Sequence, residues 1–125
     1  MKRNKYHARK WQGYDSKHEA ERARVLRLMA EAGEITDLRE QVSYELVPAQ
    51  WEIIPRYGKN GQAIKPKRRC VERAIIYIAD FVYVDSDGNE IVEDAKGYKG
   101  GEAYKLFVIK RKLMRYVHHI NVREV

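Results

Sequence analysis

An α/β (α+β) domain is the fold class this sequence predicts, and three observations predict it. A stretch of helical periodicity follows the N-terminal tail, strand-like segments fill the middle, and a second helical stretch precedes a short closing strand. Its 125 residues suit one domain with a real core, divided into a basic flexible tail over 1–14 and a single domain over 15–125.

Ser16 and Glu19 have the spacing of a capping box, so Ser16 opens a helix expected to run to about Ala32, with Gly33 as its stop. Ala20, Ala23, Leu26 or Arg27, and Ala30 trace its inner face, which Val25, Leu28, Met29 and Ala32 broaden. Glu19 has two readings: it reaches back to cap the backbone, or it points from the first turn towards the sheet. Glu34 to Glu40 reads as a connection. Gln41 to Val47 then alternates as a half-buried strand, ended by Pro48, and Gln50 to Ile54 is a second strand stopped by Pro55. Arg56 to Arg69, with Gly58, Gly61 and Pro66, reads as a loop or long hairpin tip, dense in positive charge and able to lie in a groove or along a phosphate backbone.

The centre of the chain is AIIYIADFVYVDSDGNEIVEDAKG, from Ala74 to Gly97. Ala74 to Val84 is rich in β-branched and aromatic residues, and Ser86-Asp87-Gly88 supplies turn chemistry. Asp80 is costly in so apolar a run unless something pairs with it. If the turn is a three-residue loop with Gly88 left-handed, Asp85 pairs with Asn89 and Asp80 faces Asp94. Lys96 then joins Asp94 on that face, while Glu93 and Phe81 go to the other. Two facing carboxylates with a lysine nearby have the geometry of a divalent metal site beside a phosphate; the plainer alternative is that they simply pair with Lys96 or Arg neighbours.

After Gly97 a link leads to an amphipathic helix over Glu102 to His118. Leu106, Ile109, Leu113 and Val117 form its expected core stripe, with Phe107, Met114 and Tyr116 beside it. Ile120, Val122 and Val125 read as a closing strand. His118 and His119 are adjacent, which is not helical ligand spacing, and so read as helix-end residues.

Charge narrows the function. The net charge is +7, gathered in the tail (including Lys10), the central loop (Lys59, Lys65, Lys67, Arg68, Arg69) and the last helix (Lys105, Lys112, Arg115). Acids concentrate between Asp15 and Glu45 and between Asp80 and Asp94. Such segregation favours a nucleic-acid partner over a merely solvated basic surface. Tyr6, Trp11 and Tyr14 could stack on bases or pack on the domain. The single Cys70 excludes an internal disulfide framework, and no general base lies near it in sequence. No apolar segment is long enough to span a membrane and no signal peptide is evident, so a cytoplasmic protein is expected.

With these elements placed, the chain resembles the PD-(D/E)xK, or restriction-endonuclease-like, nuclease superfamily. More narrowly, it is similar to a family of small phage proteins of unassigned function with Holliday-junction-resolvase-like features. The residues that carry the likeness are Tyr6 to Lys10, Ser16 to Ala20, Gln41, Ile78 to Phe81 and Asp94 to Gly97. Ala79 stands where the superfamily pattern has proline. The resemblance implies an αβββαβ core with a central mixed β-sheet flanked by helices. It implies Asp80 and Asp94 as metal-binding acids, Glu19 as a first-helix contributor, Ala95 as a further ligand and Lys96 as the charge-stabilising lysine, with Gln41 in support.

Carboxylates are hard ligands suited to Mg2+ or Mn2+, which acidify water and neutralise charge on phosphate. Lys96 adds a point charge at the scissile group. The expected activity is therefore that of a metal-dependent DNA endonuclease, phage-encoded, acting on branched or recombination DNA as a homodimer. Two alternatives stand beside it: a non-catalytic nucleic-acid-binding protein that retains the fold, and a nicking or end-processing nuclease in phage replication or packaging.

Overall fold

The computed structural model describes residue 13 and residues 16–125. The expected 1–14 tail lies outside the described residues apart from Gly13, and so do Tyr6, Lys10, Trp11 and Tyr14.

Ser16 starts helix α1 (Lys17–Glu31), its hydroxyl accepting the Glu19 N–H at 3.1 Å. Gly33, left-handed at φ 78°, closes it. Strand β1 (Thr36–Val47) pairs antiparallel with β4 (Ile75–Val84), β4 with β5 (Glu90–Asp94), and β5 parallel with β6 (Arg123–Glu124). Helix α2 (Gly101–His118) lies between β5 and β6 in sequence. This mixed sheet, ordered β1-β4-β5-β6, has the expected αβββαβ sequence of elements once the separate β2 (Gln50–Tyr57) and β3 (Ala63–Glu72) ribbon is set aside.

Two apolar clusters lie on the two sides of the sheet. Ala23 and Leu26 of α1 pack with Ile35, Phe81 and Tyr83, while Phe107 and Met114 of α2 pack with Leu46, Tyr77, Ala79, Val82 and Val92. Tyr77 and Ala79 therefore face α2 whereas Phe81 and Tyr83 face α1, so side-chain alternation slips by one residue at Asp80. The register supplies the reason. Glu40 faces Phe81 and Val42 faces Ala79, which sets Gln41 beside Asp80, and Gln41 is held left-handed at φ 54°.

Several sequence expectations are corrected. Glu34 to Glu40 is mostly strand, because β1 begins at Thr36; left-handed Asp37 and Gln41 and a register shift hide its alternation. Pro55 does not stop β2, since it falls at a register shift between Ile54 and Arg56 where the ladder is already interrupted. Of the two readings of Arg56 to Arg69, the hairpin is the one formed, but the strands run further than expected and only about Gly58 to Gln62 forms the tip. In α2 the core positions are Phe107 and Met114, with Leu113 packed beside them, whereas Leu106, Ile109, Tyr116 and Val117 are exposed. The sheet meets α2 on the Tyr104–Phe107–Met114 side, a choice that helical periodicity alone does not make. Likewise Val25 and Leu28 stay exposed on α1. The closing strand is shorter than expected, at two residues, extended by Val125 through backbone bonds to Asp94 and Lys96.

Candidate active site

The hairpin register is the one that Ser86-Asp87-Gly88 predicts. Asp85 N–H donates to Asn89 at 2.9 Å, Gly88 is left-handed at φ 83°, and Phe81 faces Glu93, so Asp80 and Asp94 occupy the next rung. Asp94 is buried at 4% exposure. It accepts from the Tyr77 hydroxyl at 2.7 Å and lies 3.0 Å from Lys96 Nζ, which also sits 4.2 Å from the centre of the Phe107 ring. Ala95 N–H donates to Asp80 Oδ2 at 2.9 Å.

The third acid comes from α1. Glu19, 6% exposed, turns its side chain inward, and Gln41 Nε2 donates both to Glu19 Oε1 at 3.2 Å and to Asp80 Oδ1 at 3.3 Å. Of the two readings of Glu19, the inward one describes its side chain; the N-terminal cap is made by Ser16 to the Glu19 backbone. Glu19, Gln41, Asp80, Asp94, Ala95 and Lys96 thus lie together, linked by these contacts.

Burial, the negative charge of Asp94 and that of Glu19 push the Asp80 carboxyl up to about 7, against the lowering effect of the Ala95 N–H. Burial and the bond to Asp94 push the Tyr77 hydroxyl far up, so it stays protonated and donates. An open cleft of about 250 Å³ adjoins Asp94 and Lys96, walled by Ile76, Ile78, Leu106 and Phe107, with Lys110 at its edge.

The donor chemistry of this set, carboxylate oxygens around an overcrowded negative centre, fits a hard divalent cation. No three acidic, His or Cys side chains among the described residues are already arranged to hold one ion. Gln41 stands between Glu19 and Asp80, and Lys96 occupies Asp94 Oδ1.

A second charged group escaped the sequence reading. Arg22 grips the fully buried Glu93 through Nε to Oε1 at 2.8 Å and Nη2 to Oε2 at 2.6 Å, and the Tyr83 hydroxyl donates to the same carboxylate. The hydrogen bond to Glu93 raises the Arg22 pKa, and burial followed by that to Glu93 raises Tyr83. Arg22 lies one turn beyond Glu19, and Glu93 immediately precedes Asp94, so this clamp ties the two elements that carry the site. The signal was the i, i+3 spacing of Glu19 and Arg22 on one helix face.

The basic residues expected to bind nucleic acid do not join the carboxylates. Lys59, Lys65, Lys67, Arg68 and Arg69 are exposed on the β2–β3 ribbon, and Lys105, Lys112 and Arg115 are exposed on α2; Lys10 lies outside the described residues. No helix among the described residues is long and apolar enough to cross a membrane.

Comparison with known proteins matches residues 3–124 to one family profile, described as a protein of unknown function, DUF1064. No curated protein and no solved structure matches the chain.

Proposed function

The chain belongs to the DUF1064 family, and we propose that it is a metal-dependent endodeoxyribonuclease that hydrolyses phosphodiester bonds. The observation that carries this reading is the convergence of Asp80, Asp94 and Glu19 beside Lys96, with Asp80 lifted to about 7 by burial and then by its acidic neighbours.

Glu19, Asp80, Asp94 and the Ala95 carbonyl would hold Mg2+ or Mn2+, which when bound supplies Lewis-acid polarisation of phosphate and water. The side chains have separate tasks. Tyr77 fixes the Asp94 carboxylate by donating to Oδ2. The Ala95 N–H orients Asp80, and the Gln41 amide holds Asp80 and Glu19 at a common spacing. Lys96, lodged against the Phe107 ring, presents its ammonium where negative charge grows on the transferring phosphoryl group. Exposed cations on the ribbon and α2 supply the attraction for a phosphate backbone.

Branched or recombination DNA as substrate, a homodimeric assembly, and a phage protein working in the cytoplasm of a bacterial host complete the proposal; they rest on the superfamily resemblance. The test is a panel of four-way junctions, flaps and linear duplexes incubated with Mg2+ or Mn2+. Cleavage of at least one substrate is expected, and a panel left uncut under both metals contradicts the proposal.

The second reading is a non-catalytic nucleic-acid-binding protein. It is favoured by Gln41 and Lys96 already satisfying the acids and by the lack of a ready three-ligand cluster among the described residues. It expects binding that ignores both metal and the Asp94→Ala change. Nicking or end processing in phage replication or packaging remains within the first reading, and the panel separates it by substrate.

A further inference from the structure

The β2–β3 ribbon leaves the side chains of both its faces largely to solvent. Every residue of β3 is exposed, as are seven of the eight in β2. Trp51 is 52% exposed, Ile53 68% and Tyr57 66%. A two-stranded ribbon is marginal in water without a surface to pack on, so these apolar groups call for a partner.

The charge identifies that partner. Residues 50–72 hold Arg56, Lys59, Lys65, Lys67, Arg68 and Arg69 against only Glu52 and Glu72. Of these cations, Arg69 alone forms an ion pair among the described residues, with Glu52 at 3.0 Å. Cross-strand register sorts the base of the ribbon into two faces. Trp51 and Ile53 share one with Cys70 and Arg68, whose guanidinium stacks 4.5 Å from the Trp51 ring; Glu52 and Ile54 share the other with Arg69 and Lys67. A surface that is at once cationic and apolar suits a polyanion whose phosphates flank a groove floor of polar base edges and thymine methyls.

The dimensions agree. Two strands about 4.8 Å apart, with their side chains, match a B-DNA major groove about 12 Å wide. Eight residues of β2 at about 3.3 Å each give an arm on the order of 26 Å long. The arm springs from the body where Val47 faces Ile75, five positions along β4 from Asp80. We infer that the β2–β3 ribbon is a DNA-binding arm that inserts into the major groove of a duplex beside the one presented to the carboxylates. Lys65 and Lys67 meet phosphates and the Trp51–Ile53 face meets the groove floor. The inference rests on the nuclease reading only in taking DNA as the polyanion; it gives that reading a second duplex contact, as branched substrates require.

The experiment uses full-length Asp80→Ala protein and a labelled linear duplex without metal, with affinity measured across a salt series. Lys65→Ala with Lys67→Ala should weaken binding about tenfold and make the log K against log[salt] slope shallower by about 2. In a Trp11→Phe background, Trp51 emission should change when duplex DNA is added and stay unchanged with A-form RNA duplex, whose major groove is too narrow. An unchanged slope, or unmoved Trp51 emission with DNA, overturns the inference. So does a ribbon variant that converts a dimer to monomers while each monomer keeps its DNA affinity, because the ribbon is then a self-association arm. Ribbon-dependent binding by a wild-type protein that cuts nothing would sink the nuclease reading alone; cleavage with ribbon-independent binding would sink this inference alone.

Discussion

The α/β body and the β2–β3 ribbon treat burial in opposite ways. The body takes charge inside: Glu19, Glu93 and Asp94 are all buried, each answered by a hydrogen-bonding partner. The ribbon keeps Trp51, Ile53 and Tyr57 in water. Burying a carboxylate is costly unless it is paired, and exposing aromatic surface forfeits hydrophobic stabilisation. Stability does not account for either choice; under the proposed function, a cation and a phosphate at the body and a duplex at the arm would.

The largest effects should come from the body. Asp94→Ala or Lys96→Ala should lower DNA cleavage on the order of a thousandfold while duplex affinity stays within a few-fold, measured by single-turnover kinetics and by anisotropy. Next comes the clamp. Arg22→Met leaves Glu93 buried without its cation and should cost about 2–3 kcal/mol in urea unfolding, short of a fully buried pair because Arg22 is 25% exposed. Replacing Glu93 with Gln in the same chain should recover part of that loss.

A smaller effect follows from Asp80. Its carboxyl is raised to about 7 in the folded protein from an ordinary 3.8, so between those values the folded state binds more protons than the unfolded one. Its contribution to stability is complete below about pH 4 and is lost as pH rises through about 7. Asp80→Asn removes this dependence and should gain about 1 kcal/mol at about pH 8, fading towards about pH 4, in thermal melts across pH. The smallest effect belongs to the ribbon: Ile53→Ser should change stability by no more than about 0.5 kcal/mol, against about 2–4 kcal/mol for Met114→Ala in the body.

The same contrast explains what the sequence could reveal. Local rules carried the hairpin: turn length fixes register, register sets Asp80 beside Asp94, and alternation adds Lys96. Ser16 and Gly33 were also legible because caps and stops act over a few residues. The α2 stripe was not. Phe107 and Met114 were chosen over Leu106 and Ile109 by where the sheet lies, which no local pattern contains. The start of β1 was hidden by left-handed Asp37 and Gln41, and β3 by a density of cations that usually marks a loop. Glu93 showed as a strand residue facing away from Asp94, but its partner Arg22 lies 71 positions away in sequence.

The central claim is that the acids gathered around Asp80 perform phosphodiester hydrolysis. Its most direct test is cleavage of a labelled four-way junction with Mg2+ by wild-type protein and by Asp80→Ala, run with matched binding curves. The account predicts cutting by the wild type and none by a variant that still binds; cutting by Asp80→Ala at the wild-type rate would contradict it.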